Sequence, residues 1–382
     1  MGSGRILRRL PITAFLVLLL VYGLGGPAFG GTTVGEEHVL RATLANGLRV
    51  VIVRNPIAPV VTTVVNYLVG SNEAPPGFPG TAHAQEHMMF RGSPGLSADQ
   101  LAEMSAAMGG MSNADTRQEV TQYFFTVPAE DLDIALHIEA LRMQGVLDAA
   151  PLWQTERGAI EQEVARDLSS PEYVFYTRLL AAMFKGTPYA HDALGTRASF
   201  ERTSAAMLER FHDQWYGPNN ALLVIAGDVQ PQAALAQVKK QFGRLARRPL
   251  PDRPPIHLQP VSPQIIELDT DRPYGLVVMA YRMPGYDSPD EAASQVLADV
   301  LNSRRGDLYR MTATGRALST GFSLSTFQKA GLGFVAAAFP RGGDPQALLR
   351  EIHETLSGRI AEGFPPDLIE AAKRHAAMDA EL

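Results

Sequence analysis

Cysteine is absent from this 382-residue chain. That excludes a disulfide scaffold, a thiol nucleophile, and any zinc or iron–sulfur site built on thiolates. Positive charge is not in excess. Lys and Arg number 34 against 40 Asp and Glu, for a formal net charge of -6. This balance argues against a general nucleic-acid binder. Tryptophan occurs only twice, and Trp153 and Trp215 both read as core. Long apolar runs are missing apart from one near the start. What the chain does have is 46% hydrophobic residues, the composition of a folded globular protein rather than a disordered one. At ~100–200 residues per domain, two domains are expected.

The single apolar run, Ile12 to Leu24, follows Arg5, Arg8 and Arg9 and precedes Ala28-Phe29-Gly30. Charged, greasy and small, in that order, is the pattern of a secretory signal. The run is shorter than the ~20 residues that span a bilayer comfortably. Residues 1–30 are therefore read as a signal peptide, the alternative being an uncleaved anchor. Removing them takes away three arginines and no acid, which moves the net charge from -6 to -9. An exported protein without cysteine suits the periplasm or a secreted location.

Strand-like segments occupy 48–53 and 60–69, and the loop 70–80 holds three glycines and three prolines, which exclude a helix there. A helix is expected from Thr81. Ser97, with Gln100 three residues on, reads as a capping box for a helix that stops at Gly109-Gly110. A strand over 119–127 leads into helices after Pro128 and Pro151. Residues 219–229 read as a buried strand ending in a turn, and 231–242 as a helix. Six prolines in 247–263 mark a linker. Beyond it the grammar repeats as strand, Pro/Gly loop and helix, with Tyr281…Pro289 resembling Tyr67…Pro75. The domains are read as 31–250, a linker at 251–263, and 264–382. The second copy has Gln295 and Asp299 in its helix where the first has a histidine pair.

The sharpest signal is His83-Ala84-Gln85-Glu86-His87. Residues four apart share a helix face, so His83 and His87 can converge on one metal, with Glu86 in reach of water there. A catalytic zinc takes three protein ligands and leaves a position open. The third donor should be a carboxylate from another helix. Glu156, Glu161 and Glu163 lie on the helix after Pro151, and Glu156 and Glu163 are two turns apart on one face. Spacing alone does not choose between those two. It also does not exclude that they are solvated helix charges. The chemistry that fits is hydrolysis of an amide, with Glu86 moving the proton.

These residues resemble the inverted HxxEH motif of the M16 family of zinc metallopeptidases, which holds pitrilysin, insulinase and mitochondrial processing peptidase. The resemblance extends to Gly109-Gly110-Met111-Ser112-Asn113-Ala114, to Glu156-Arg157…Glu163, to Thr187-Pro188-Tyr189, and to Trp215-Tyr216-Gly217-Pro218-Asn219-Asn220. It covers about residues 40–380 and is weaker in the second part. It implies an α+β fold of two similar domains, each a mostly antiparallel sheet packed with helices. It implies one Zn2+ held by His83, His87 and Glu163, with Glu86 as general base and Glu156 as an auxiliary acid. It places Asn113 and Ala114 at an edge strand that receives an extended peptide. It further implies a partner, either a second copy, a zinc-free subunit or a missing C-terminal half. The region Arg310…Arg316 lacks the family's usual Arg…Tyr arrangement. The helix opened by Pro365-Pro366 is expected to run to Leu382, so the second domain is expected to be C-terminally incomplete. The function implied is an endopeptidase acting on exported peptides or unfolded segments. A catalytically inactive scaffolding subunit and another zinc hydrolase are the competing readings.

Overall fold

The computed structural model describes residues 33–35, 39–253 and 255–381. The signal segment read at 1–30 lies outside the described residues.

Alternation of apolar and polar side chains builds the first half. Strands β1 (Thr33–Gly35), β2 (Val39–Thr43), β3 (Arg49–Arg54) and β4 (Val60–Tyr67) lead into helix α1 (Thr81–Met88). A small hairpin of β5 (Gly92–Ser93) and β6 (Leu96–Ser97) precedes α2 (Ala98–Ala107). The Ser97–Gln100 capping box is present, with each side chain bonded to the other's backbone N–H. Strands β7 (Met111–Thr116) and β8 (Thr121–Pro128) follow, then α3 (Leu132–Gln144), α4 (Ala150–Leu168), α5 (Pro171–Met183), α6 (Arg197–Phe200) and α7 (Ala205–Trp215). Strand β9 (Ala221–Gly227) and α8 (Pro231–Phe242) complete it.

These strands form one sheet in the order β1-β2-β3-β9-β4-β8-β7. Every pairing is antiparallel except β3 with β9. Val61, Val65 and Tyr67 of β4 face the same side as Tyr123, Phe125 and Val127 of β8 and Leu223 and Ile225 of β9. Helices α3 and α8 cover that side with Leu136, Ile138, Leu235 and Val238. The opposite face is half-open and carries polar groups such as Thr62 and Thr126, whose hydroxyls lie 2.9 Å apart.

Gly110 shows why β7 can start where it does. A Cβ there would stand 2.2 Å from the carbonyl oxygen of Thr126. Only glycine lets β7 approach β8 at that point. The family resemblance implies an edge strand at Asn113 and Ala114, after the helix that stops at Gly109-Gly110. The turn ends by Gly110, and Asn113 and Ala114 lie within β7, at the sheet's edge.

Among the described residues no helix or strand lies between Phe242 and Tyr274. The irregular segment is thus longer than the proline cluster indicated. It is held to the first half by Arg253, which pairs with Glu73 at 2.9 Å and lies 4.9 Å from the ring centre of Trp215. The second half then runs β10 (Tyr274–Pro284), α9 (Glu291–Asn302), α10 (Asp307–Ala313), β11 (Ser319–Thr326), β12 (Ala330–Pro340), α11 (Pro345–Glu362) and α12 (Pro366–Glu381). Its antiparallel sheet has the order β10-β12-β11. The first half contains the same order in β4-β8-β7. A shared core joins the halves, with Leu180, Met183, Phe184 and Tyr189 packed against Phe327, Ala330 and Leu332. No helix among the described residues is long and apolar enough to cross a membrane.

Candidate metal centre

Helix α1 is only eight residues long and is almost wholly enclosed. Ala84 and Met88 point into a cluster with Ile160 and Val164 of α4 and with Phe200 and Leu208. The α4 end of this cluster is pinned by Trp153, whose indole N–H donates to the Thr203 carbonyl at 2.8 Å. These apolar contacts set the register of α4 against α1. The register carries Glu163 to the two histidines.

The imidazoles of His83 and His87 meet at near right angles, with ring centres 4.9 Å apart. Glu163 Oε2 lies 3.6 Å from His83 Nε2 and 3.5 Å from His87 Nε2. The three donor atoms all fall within 4.8 Å of one another. An ion with ligand bonds of ~2.1 Å in tetrahedral geometry separates its donors by about 3.4 Å. The two imidazole–carboxylate spacings match that figure, so the donor set fits a zinc-sized cation.

The outer atoms of each donor are occupied in a way that leaves the inner ones free. His83 Nδ1 donates to the Leu194 carbonyl at 3.1 Å, which turns Nε2 toward the site. His87 Nδ1 lies 3.3 Å from Glu156 Oε2, with the same effect. Arg166 stands 3.4 Å from Glu163 Oε1, leaving Oε2 to face the histidines. Glu156 is buried behind His87 and also pairs with Arg91. It is a positioning group, not one that touches the open side. Glu163 is the most open of the donors, with 31% of its side chain exposed.

The electrostatics follow from burial and these pairings. Burial pulls His83 below its usual pKa, and His87 adds to this. Burial also pulls His87 down, yet the Glu163 and Glu156 carboxylates outweigh it and hold its pKa above the usual value. The bond to His87 keeps Glu163 low, against its own partial burial. Burial pushes Glu86 up to about 7, against the hydroxyl of Thr116, which donates to Glu86 Oε2 at 2.5 Å. A carboxylate titrating there is matched to a proton-transfer role near neutral pH.

Of the residues singled out from the sequence, the structure brings His83, Glu86, His87, Glu156 and Glu163 together. Asn113 and Ala114 lie on β7, three and two residues before Thr116. Two histidines stand apart from this cluster: His191 has Nδ1 3.1 Å from the Asp192 carbonyl, and His137 has Nδ1 3.3 Å from Gln241 Oε1. Trp153, Trp215 and Tyr123 are core. Arg310 and Arg316 bind Asp307 and Glu351 within the second half. Sequence reasoning missed Thr116, the Leu194 carbonyl and Arg142. The Arg142 guanidinium is buried. It donates to the Met89 carbonyl at the end of α1 (3.1 Å) and to Glu139 (3.0 Å), and lies 4.7 Å from the Phe90 ring centre. A spacing of three from Glu139 was its only trace in the sequence.

The chain is similar in sequence and fold to known proteins. The family model described as insulinase (peptidase family M16) matches residues 49–197, and that described as the peptidase M16 inactive domain matches 202–375. An uncharacterized zinc protease of Mycobacterium tuberculosis is 30% identical over 326 residues, 83% of this chain and 74% of that protein. A protease from Helicobacter pylori shares the fold with a TM-score of 0.79 at 24% identity, over 89% of this chain and 84% of that one. A peptidase M16 inactive domain from Pseudomonas fluorescens does so with a TM-score of 0.78 at 18% identity, over 89% and 83%.

Proposed function

Because the chain belongs to peptidase family M16, we propose that it is a zinc-dependent endopeptidase acting on exported peptides or unfolded polypeptide segments. The observation that carries this reading is the convergence of His83, His87 and Glu163, with the Glu86 carboxylate held beside them by Thr116. Zinc, when bound there, supplies Lewis acidity that acidifies water and polarises the scissile carbonyl. Glu86 takes the proton from the attacking water and passes it to the leaving amine. Thr116 aims the carboxylate through its hydroxyl. Glu156 and the Leu194 carbonyl keep the imidazoles turned inward.

Strand β7 pairs with β8 on one side and ends the sheet on the other. Its outward-facing N–H and C=O groups come from alternate residues, Ala114 among them and next to Asn113, and suit an extended peptide added as a further strand. Such binding reads backbone more than side chains, which fits unfolded segments. The leader composition supports export to the periplasm, which cell fractionation tests directly. A second copy or a zinc-free relative as partner is supported by the second half, which has the fold without the donor set. Native mass spectrometry of the purified protein tests that.

The deciding experiment compares wild type with Glu86→Gln for zinc content and for cleavage of a quenched peptide. The variant keeps zinc and loses cleavage by about 10²–10⁴-fold. Full cleavage by Glu86→Gln removes Glu86 from its role. Zinc stoichiometry near zero in the wild type favours the scaffolding reading instead.

A further inference from the structure

The tip of the β7–β8 hairpin, residues 117–120, touches both halves of the molecule. Glu119 Oε1 accepts the Tyr189 hydroxyl at 2.5 Å, and Oε2 accepts the Tyr286 hydroxyl at 2.8 Å. The Gln328 backbone N–H reaches both oxygens, at 3.0 and 2.9 Å. Tyr189 in turn accepts the Lys329 N–H at 3.2 Å. Tyr189 belongs to the first half. Tyr286, Gln328 and Lys329 belong to the second. Beneath these polar contacts the Tyr189 ring stacks on Phe327, with centres 4.7 Å apart and planes 20° from parallel.

The tip is also held from the side of the loop after β4. The Ser71 and Asn72 N–H groups donate to the Arg117 and Gln118 carbonyls, both at 2.9 Å. That approach requires Gly70, where a Cβ would stand 2.2 Å from the Arg117 oxygen. Thr116, which bonds Glu86, is the residue next to this tip, and β7 runs straight out of it.

We propose that Glu119 is a positioning residue that locks β7 to the second half, so that docking of the second half sets the placement of Thr116 and of the peptide-receiving edge. A carboxylate suits this post because all the groups it meets are donors. Its charge strengthens each bond. A glutamine would turn an NH2 group toward an N–H or a hydroxyl and leave a donor unpaired. The second half thereby acts on the site without contributing a ligand. Only the kinetic part of this proposal rests on the peptidase reading given above.

The test uses the full chain as wild type, Glu119→Gln and Tyr286→Phe. Amide hydrogen exchange is followed by mass spectrometry, and zinc content and peptide cleavage are measured alongside. In Glu119→Gln, exchange rises roughly tenfold at both 111–120 and 326–330, with 81–88 and zinc content unchanged. Tyr286→Phe does the same to a smaller degree, and it decides the matter if Glu119→Gln does not fold. KM for the peptide rises in both variants, whereas a merely structural loss lowers kcat through the folded fraction and leaves KM alone. Exchange that rises only at 326–330, or equally over the whole chain, overturns the proposal, as does an unchanged KM. If even wild type cleaves no peptide, the peptidase reading fails and the exchange pattern still decides the role of Glu119.

Discussion

The two halves build the same motif with different consequences. In each, a strand leads to two helices, a hairpin and two longer helices. The series β4, α1, α2, β7, β8, α3, α4 corresponds to β10, α9, α10, β11, β12, α11, α12. In each half the last helix of the series packs on the first, α4 on α1 and α12 on α9. In the second half that contact is mainly apolar, with Val300 against Leu368 and Ala372, beside the ion pair Asp299–His375. In the first half Ala84, Met88, Ile160 and Val164 supply a similar contact, but the helices also bring two imidazoles and two carboxylates to it. Where α1 has His83 and His87, α9 has Gln295, bonded to Glu291 at 2.8 Å, and Asp299, paired with His375 at 3.3 Å. The contact between helices is therefore the common scaffold, and the donor set is an addition to one copy of it.

The comparison breaks most readily at its centre. His87→Ala removes one of the three donors proposed to hold zinc. Zinc content should fall to background and cleavage by three orders of magnitude or more, since three protein ligands define such a site. Metal analysis on the purified variant checks this. The next effect concerns the buried support that α1 has from Arg142. Arg142→Leu strands the Glu139 carboxylate, which is fully buried, and should destabilise the fold by about 3–5 kcal/mol, read from urea unfolding.

A smaller effect comes from His212, buried against the Arg142 carbonyl at 2.9 Å. Burial lowers its folded pKa. Below the unfolded value of ~6.5 the unfolded chain takes up a proton that the folded one refuses. Stability is thus present above that pH and is lost as pH falls through and below it. His212→Gln should flatten this part of the pH–stability curve. The least effect is expected in the second half. Asp299→Asn removes an exposed pair on α9, the counterpart of α1, and should change stability by less than about 1 kcal/mol.

Much of this was legible before any coordinates. The spacing of His83 and His87 fixes their shared face by helix geometry alone, and the Ser97–Gln100 cap and the β-branched run of β4 are equally local. Glu156 and Glu163 share a face of α4, so helix geometry alone did not separate the ligand from the group behind it. The register of α4 on α1, set by Trp153, Ile160 and Val164, does. Thr116 and the Leu194 carbonyl had no signature, because a lone hydroxyl in a strand and a backbone oxygen look like any other. Glu139 and Arg142 have the spacing of any i,i+3 pair on a helix, and only the burial of α3 makes them an internal strut. Glu119 meets its donors across separations of 70 to 209 residues, beyond any local pattern.

The sheet order has one more implication. β3 and β4 are consecutive, joined by a short loop, yet they do not touch along their lengths, because β9 lies between them. During synthesis the earlier two strands emerge long before their native neighbour exists, with a hairpin as their nearest alternative partner. The nascent chain must keep that alternative from becoming permanent, or open it, before the late strand can thread into the gap. The segment bearing His83 to Glu163 emerges entirely within this interval, so the candidate metal donors are made before the sheet beneath them closes.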